Sequence, residues 1–464
     1  MKPTRTLALA FALSGLLAGS LPVAAQTQPP PATPVTVPAA TPAATMPDEA
    51  PAPVSDTRPL VLQHFRPMDQ RGINMFETPK DDGVEYKGFR LDFGAAFTSQ
   101  VQALDHENTA APRVVGGVNA NQLITIGTGF NNSTANLYIN AQLSKGIRVT
   151  LTSYLSSRHH NETWVKDGYL LIDDVPIDFI PLKALVQYIT VRAGHFEINY
   201  GDAHFRRSDN GNAMYNPFIG NLILDAFTTE IGAEVYLRNK GIIAMGAVTG
   251  GEIRGTVLSP NQRSLAYIGK LGVDRQINPN LRVRLTGSMY LQDKSLSNTL
   301  YAGDRAGSRY YYVLENTTAA DATQFRSGMI DPGFRSKVTA MQINPFVKFG
   351  GLELFGVIER AKGRAAAEVT EREFTQYAVD TVCRFLPREQ LFVGARYNKV
   401  EGRFAGFTED AGANRWQLGA GWFLTQNILM KGEYVNQEYT GFPVTDIRNG
   451  GKFQGLMAEG VIAF

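Results

Sequence analysis

The chain holds one cysteine, Cys383, among 464 residues, so no internal disulfide can staple it. Long apolar runs are equally scarce. Past the amino-terminal stretch, none reaches the roughly 18 residues that a membrane-spanning helix needs. Charge of one sign is also missing: the formal net charge is +2 and no basic block occurs, which argues against a nucleic-acid partner. Neither a Gly-x-Ser-x-Gly elbow nor a phosphate-binding P-loop is present, so hydrolase and nucleotide chemistry have no supporting group set and no enzyme is expected. The nearest approach to a metal cluster is His159-His160-Asn161-Glu162. Adjacent residues at a strand end point to opposite faces, so neither a metal nor another cofactor is expected.

What is present is alternation. In residues 453–464, Leu456, Ala458, Gly460, Ile462 and Phe464 share one parity, while Glu459 falls on the other with Met457 and Val461. Period two means a strand, and an apolar face opposite a carboxylate means a strand between two solvents. A terminal strand in lipid cannot leave its N–H and C=O groups unpaired, so Phe464 is expected to end the strand that closes a barrel. The competing reading is an ordinary edge strand of a soluble sheet.

The pattern recurs along the chain. Phe89, Leu91, Phe93, Ala95 and Phe97 oppose Arg90, Asp92, Thr98, Gln100 and Gln102. Leu281, Val283, Leu285 and Met289 oppose Arg282, Arg284, Thr286 and Tyr290, and Trp416, Leu418 and Trp422 oppose Arg415 and Gln417. Tight turns such as Ser144-Lys145-Gly146 and Asn239-Lys240-Gly241 alternate with long polar connections at about 105–133, 199–225 and 293–337. These features predict an all-β fold: a transmembrane antiparallel β-barrel of about 16 strands, with short periplasmic turns, long outer loops and an aqueous lumen.

The rest of the chain fits export. Lys2 and Arg5 precede an apolar run and Val23-Ala24-Ala25, so residues 1–25 read as a signal peptide addressed to the outer membrane. Residues 26–59 are rich in Pro, Ala and Thr and read as a disordered periplasmic arm. Residues 60–87 form a pre-barrel segment expected to enter or plug the periplasmic mouth, and residues 88–464 form the barrel.

Residues 186–201 read Val-Gln-Tyr-Ile-Thr-Val-Arg-Ala-Gly-His-Phe-Glu-Ile-Asn-Tyr-Gly. This stretch resembles a strand of the phosphate-selective porin O/P family, with Arg192, Gly194, Phe196 and Gly201 at the matching positions. Residues 135–154, 166–173, 391–402 and 415–441 are similar to further strands of that family. The resemblance implies a homotrimer of sixteen-stranded channels whose third outer loop folds inward and narrows the pore, with outer-membrane lipid, the barrel-assembly machinery and small solutes or anions as partners. The family's arginine ladder has no counterpart that aligns on this chain, which puts phosphate selectivity in doubt and leaves porin function standing.

On that mapping residues 200–227 are the inward loop. Arg206 and Arg207 become candidate constriction cations, with Asp202 and Asp209 as opposing anions; the alternative is a solvated loop with a local Arg–Asp pair. By strand parity Arg90, Arg148, Arg192, Arg282, Arg284, Arg384, Arg396, Arg415 and Lys431 line the pore. Asp92, Glu230, Glu234, Glu353, Glu359, Asp380, Glu433 and Glu459 face the same water. Charge that faces lipid would cost about 2–4 kcal/mol at the midplane, which sends all of these inward. The near balance predicts passive diffusion of small hydrophilic solutes with at most a mild anion preference. The alternative is a structural or surface-interaction barrel with a plugged lumen. Trp416, Trp422, Tyr397 and Phe464 read as aromatics of the membrane interface.

Overall fold

A computed structural model describes residues 62–78, 83–159, 162–175, 180–253, 255–303, 307–320 and 324–464. The signal peptide and the Pro/Ala-rich arm fall outside the described residues.

Sixteen strands close an antiparallel barrel. In chain order the first half comprises β1 (Arg90–Glu107), a small loop hairpin β2 (Val114–Val115) and β3 (Val118–Asn119), β4 (Gly129–Ser144), β5 (Ile147–Ser156), β6 (Trp164–Ile172), β7 (Ile189–Glu197), β8 (Thr229–Asn239) and β9 (Ile242–Thr249). The second half comprises β10 (Ala266–Asn278), β11 (Leu281–Gln292), β12 (Lys337–Phe349), β13 (Leu352–Arg364), β14 (Arg372–Phe385), β15 (Leu391–Gly402), β16 (Ala411–Thr425), β17 (Ile428–Thr440) and β18 (Lys452–Ala463). A helix, α1 (Ile180–Val186), sits in the connection from β6 to β7. Each barrel strand pairs with the next, and β18 pairs back with β1, with Gln100 opposite Glu459. Phe464 continues that ladder: the Ala95 N–H donates to its carbonyl at 2.9 Å, and its own N–H donates to the Ala95 carbonyl at 3.0 Å. Closure removes both sheet edges, which is what a strand in lipid requires.

The parity read from the sequence is the parity observed. Leu456 and Phe464 are each 61% exposed on the outer face, while Glu459 is 1% exposed and points inward. Trp416 and Trp422 face outward, and Trp416 stacks on Tyr397 with ring centroids 4.6 Å apart. Apolar outside and charged inside inverts a soluble protein and matches a barrel set in lipid.

At one end the connections are tight, apart from residues 173–188 between β6 and β7, which include α1. Gly146 and Gly241 take φ of +66° and +82°, a left-handed conformation that a side chain would strain. At the other end they are long, at 108–128, 198–228, 250–265 and 293–336. A closed ladder resists detergent, so the unboiled protein is expected to migrate anomalously on a gel and to shift on heating. Identical mobility before and after boiling speaks against the barrel. Deleting Phe464 is expected to slow assembly, read as protein left in the periplasm.

The lumen differs from the open aqueous channel that strand number predicts. Three segments fold into it: residues 62–78 at the short-turn mouth, residues 198–228 across the middle, and the described residues of the connection from β11 to β12, 293–303, 307–320 and 324–336, towards the long-loop end. They carry the apolar side chains that make the buried core, including Phe76, Phe218, Ile219, Ile223, Tyr301, Tyr310, Ile330 and Phe334. Barrel width was legible from the sequence; what fills it is long-range packing of loops.

Candidate functional site

A segment that enters a lumen takes its backbone N–H and C=O groups away from bulk water, so each needs a partner. The wall supplies them. Lys431 Nζ donates to the carbonyls of Ala213, Asn216 and Phe218 at 3.0, 3.2 and 2.9 Å and pairs with Glu459 at 2.6 Å. Arg415 donates to the carbonyls of Asn221 and Gly328 at 2.5 and 2.8 Å. Arg396 pairs with Asp380 at 2.6 Å, donates to the Gly220 carbonyl at 3.1 Å and lies over the Phe218 ring. Glu433 accepts from the Ile219 N–H at 2.7 Å. At the tip, the Gly211 N–H donates to Asn136 at 2.8 Å. A Cβ at Gly211 would meet the Ala135 Cα at 2.6 Å, so only glycine lets the tip reach the β1–β4 wall.

The four constriction candidates separate. Asp202 lies between Lys270 at 2.6 Å and Arg284 at 2.8 Å, and accepts from Thr286 at 2.7 Å. Burial alone would raise its carboxyl, but Lys270 and Arg284 hold it below the usual carboxylate range. Arg206 turns the same way, to Glu353 at 3.3 Å and to Asn74, under the rings of Phe346 and Phe355. Arg207 forks onto Asp225, with a shortest contact of 2.6 Å, and reaches Asp209 at 3.5 Å. Of the expected pairings within the loop only this last one forms. Arg282 pairs with Asp274 at 2.7 Å, and Arg384 with Glu353 at 2.6 Å. Arg90 is half-buried at the start of β1.

A cavity of about 210 Å³ lies between the inward segment, residues 66–78 and the β4–β8 wall. Arg207, Asp209, Arg148 and Arg192 line it, whereas Arg206, Asp202, Arg284, Arg396, Arg415 and Lys431 do not. Sequence reasoning missed three further cations there: Arg66, Lys166 and Arg238. Arg238 shares the inward parity of Glu234 and was within reach of the pattern. Lys166 was not. The β5–β6 register shifts between Thr152 and Ser153, so Lys166 is the extra residue of a bulge and lines the lumen together with its neighbour Asp167. Strict alternation would have put one of the two in lipid, and a bulge re-aims it.

Lys166 bridges wall and loop, with Glu197 at 2.6 Å and Asp209 at 2.5 Å, and Asp209 also accepts from Tyr154. Arg192 pairs with Glu234 at 2.6 Å, and Arg238 with Asp173 at 3.4 Å. Glu77 is held by Arg284 at 2.7 Å and Lys270 at 3.3 Å. His204 lies 3.4 Å from Glu197, yet burial keeps its imidazole below the ordinary value.

The strap of residues 62–78 crosses the short-turn mouth. Gly146 donates to Gln63 at 3.2 Å on one side, and on the other Gln70 donates to the carbonyls of Gln426 at 2.9 Å and Arg388 at 2.8 Å. The second inward loop was also missed. Its Tyr301 and the inward segment's Tyr200 both donate to Glu359, at 2.8 and 3.0 Å, so one wall carboxylate ties down both loops. The signal was there: a connection carrying Tyr301, Tyr310, Tyr311, Tyr312 and Phe334 is too aromatic for a solvated loop.

No family model matches the chain, and none therefore supports the O/P resemblance; no curated protein matches it either. Solved structures similar to it include an anion-selective porin from Comamonas acidovorans, at 11% identity and a TM-score of 0.49, covering 81% of this chain and 100% of that one. OmpF of Salmonella typhi in complex with daunomycin matches at 11% identity and 0.48, covering 82% and 99%. OmpT, an outer-membrane protein of Vibrio cholerae, matches at 9% and 0.48, covering 82% and 99%. Identity this low carries no residue role across.

Proposed function

We propose that this protein is a bacterial outer-membrane channel of porin type for small hydrophilic solutes, mildly anion-preferring, whose water path follows the cavity between the inward segment and the β4–β8 wall. One observation carries the reading: of the cations in the lining, Lys166, Arg192, Arg207 and Arg238 are matched by carboxylates, whereas Arg66 and Arg148 make no ion pair among the described residues and leave the lining with unmatched positive charge. In a narrow water column with low-dielectric walls, a small excess of fixed charge biases ion entry. Assembly as a homotrimer belongs to the proposal and is read by crosslinking in detergent.

A second reading has its own support. Three segments occupy the lumen, as a plugged structural barrel requires. Planar-bilayer recording in asymmetric salt separates the two. The channel reading expects stepwise currents with a reversal potential displaced towards that of the anion, more so in dilute salt where screening is weak. Absence of current from folded barrels establishes the plugged scaffold instead.

A further inference from the structure

Two cations of the cavity lining differ from the rest. Lys166, Arg192, Arg207 and Arg238 each have a carboxylate within ion-pair distance, but Arg66 and Arg148 make no ion pair among the described residues. Arg66 donates to the carbonyls of Gly72 at 3.0 Å and Phe205 at 2.9 Å, with its guanidinium 3.7 Å from the Tyr215 ring centroid. Arg148 is 4% exposed, donates to the His64 carbonyl at 2.8 Å, and its Nε has no hydrogen-bond partner. The carboxylates whose field reaches Arg66 are already engaged, Glu197 with Lys166 and Glu77 with Arg284.

A guanidinium drawn out of bulk water with only carbonyl and ring partners keeps its charge uncompensated, which favours an anion beside it. A guanidinium carries five N–H donors, so both residues retain donors in the fork geometry that oxyanions accept. The two lie on different elements. Arg66 belongs to the strap across the short-turn mouth, and Arg148 is the second residue of β5. Both line the cavity, and Arg148 reaches the strap backbone two residues before Arg66, at His64, and sits 5.5 Å from the Phe65 ring centroid.

We infer that Arg66 and Arg148 form a binding site for a small oxyanion of the carboxylate or phosphate type, and that its occupancy holds the strap in the mouth. Half of the site leaves when the strap lifts, so the ligand binds the seated state alone. By linkage it stabilises seating in proportion to one plus its concentration over its dissociation constant. The inference uses the cavity of the proposed channel but needs no ion flow.

Amide hydrogen exchange of the folded barrel tests it, with inorganic phosphate and succinate as probes against chloride at equal ionic strength. Exchange of residues 62–78 is expected to slow about tenfold when the probe stands at about ten times its midpoint concentration. Arg148→Gln is expected to abolish that slowing, while its unheated gel mobility stays that of a closed barrel. A response to phosphate alone or to succinate alone names the ligand class. Exchange that neither probe slows in the wild-type chain overturns the site, as does equal slowing in Arg148→Gln. Currents without protection remove this site and leave the channel reading intact; protection without currents does the reverse.

Discussion

Replacing Arg284 by Met is expected to free the inward segment from the wall while the barrel stays closed. Arg284 is 1% exposed and forks onto Asp202 through Nε and Nη2 at 2.8 and 2.9 Å, with Glu77 at 2.7 Å and Asp274 at 3.0 Å from Nη1. Without it the carboxylates of Asp202 and Glu77 share Lys270, and one buried negative charge is left uncompensated. Breaking a buried pair from one side costs about 3–5 kcal/mol. The strain is relieved when the segment lifts, so the lifted population rises by roughly two to four orders of magnitude. None of the barrel ladder depends on that side chain, so closure survives.

Trypsin reads the outcome. Arg206 and Arg207 are 3% and 5% exposed, so the wild-type segment resists cleavage there. The variant is expected to be cut at these two positions while its unheated gel mobility stays that of a folded barrel. A digest indistinguishable from wild type removes Asp202 as the anchor. Acid gives the same test a sign. The folded Asp202 carboxyl titrates below its ordinary value, so its contribution is fully present above the ordinary carboxylate pKa and is lost as pH falls through the folded one. Wild-type cleavage through this group is therefore expected only below about pH 4, assayed with an acid-active protease.

The barrel was legible because parity is local. Leu456 and Glu459, or Trp416 and Arg415, declare their faces within a few residues, and the lipid penalty on misplaced charge makes the pattern strict. An inward segment was expected at residues 200–227, and residues 198–228 do enter the lumen, although no family model supports the resemblance on which that expectation rested. Its partners were not legible, because they depend on register and depth: Arg206 meets Glu353 and Asp202 meets Arg284, contacts that no spacing encodes. The lumen-facing basic residues show the same limit. Their inward direction follows from alternation, yet Arg415 and Lys431 hold loop carbonyls, a role visible only once the loops are in place. Lys166 escaped because a bulge breaks the period on which the reading rests.

That bulge residue carries the second large effect. Lys166 stands between Glu197 and Asp209 at the point where wall and inward segment meet, with its side chain 9% exposed. Lys166→Glu removes the cation that neutralises both acids and adds a third carboxylate beside them. Like charges about 4 Å apart repel by about 4 kcal/mol at an effective dielectric of 20, so the surplus draws cations into the cavity or pushes the segment off the wall. Reversal potential in a salt gradient is expected to swing to the cation side, most strongly at low ionic strength. Arg207→Ala is expected to move it the same way by less, since it deletes one cation of the lining and leaves Lys166 in place. Arg206→Ala is expected to leave it near wild type, because Arg206 faces Glu353 and lies outside the lining. The three variants together locate the path. If Arg206→Ala shifts selectivity as far as Lys166→Glu does, ions run along the β11–β14 wall, and the cavity beside β4–β8 is not the route.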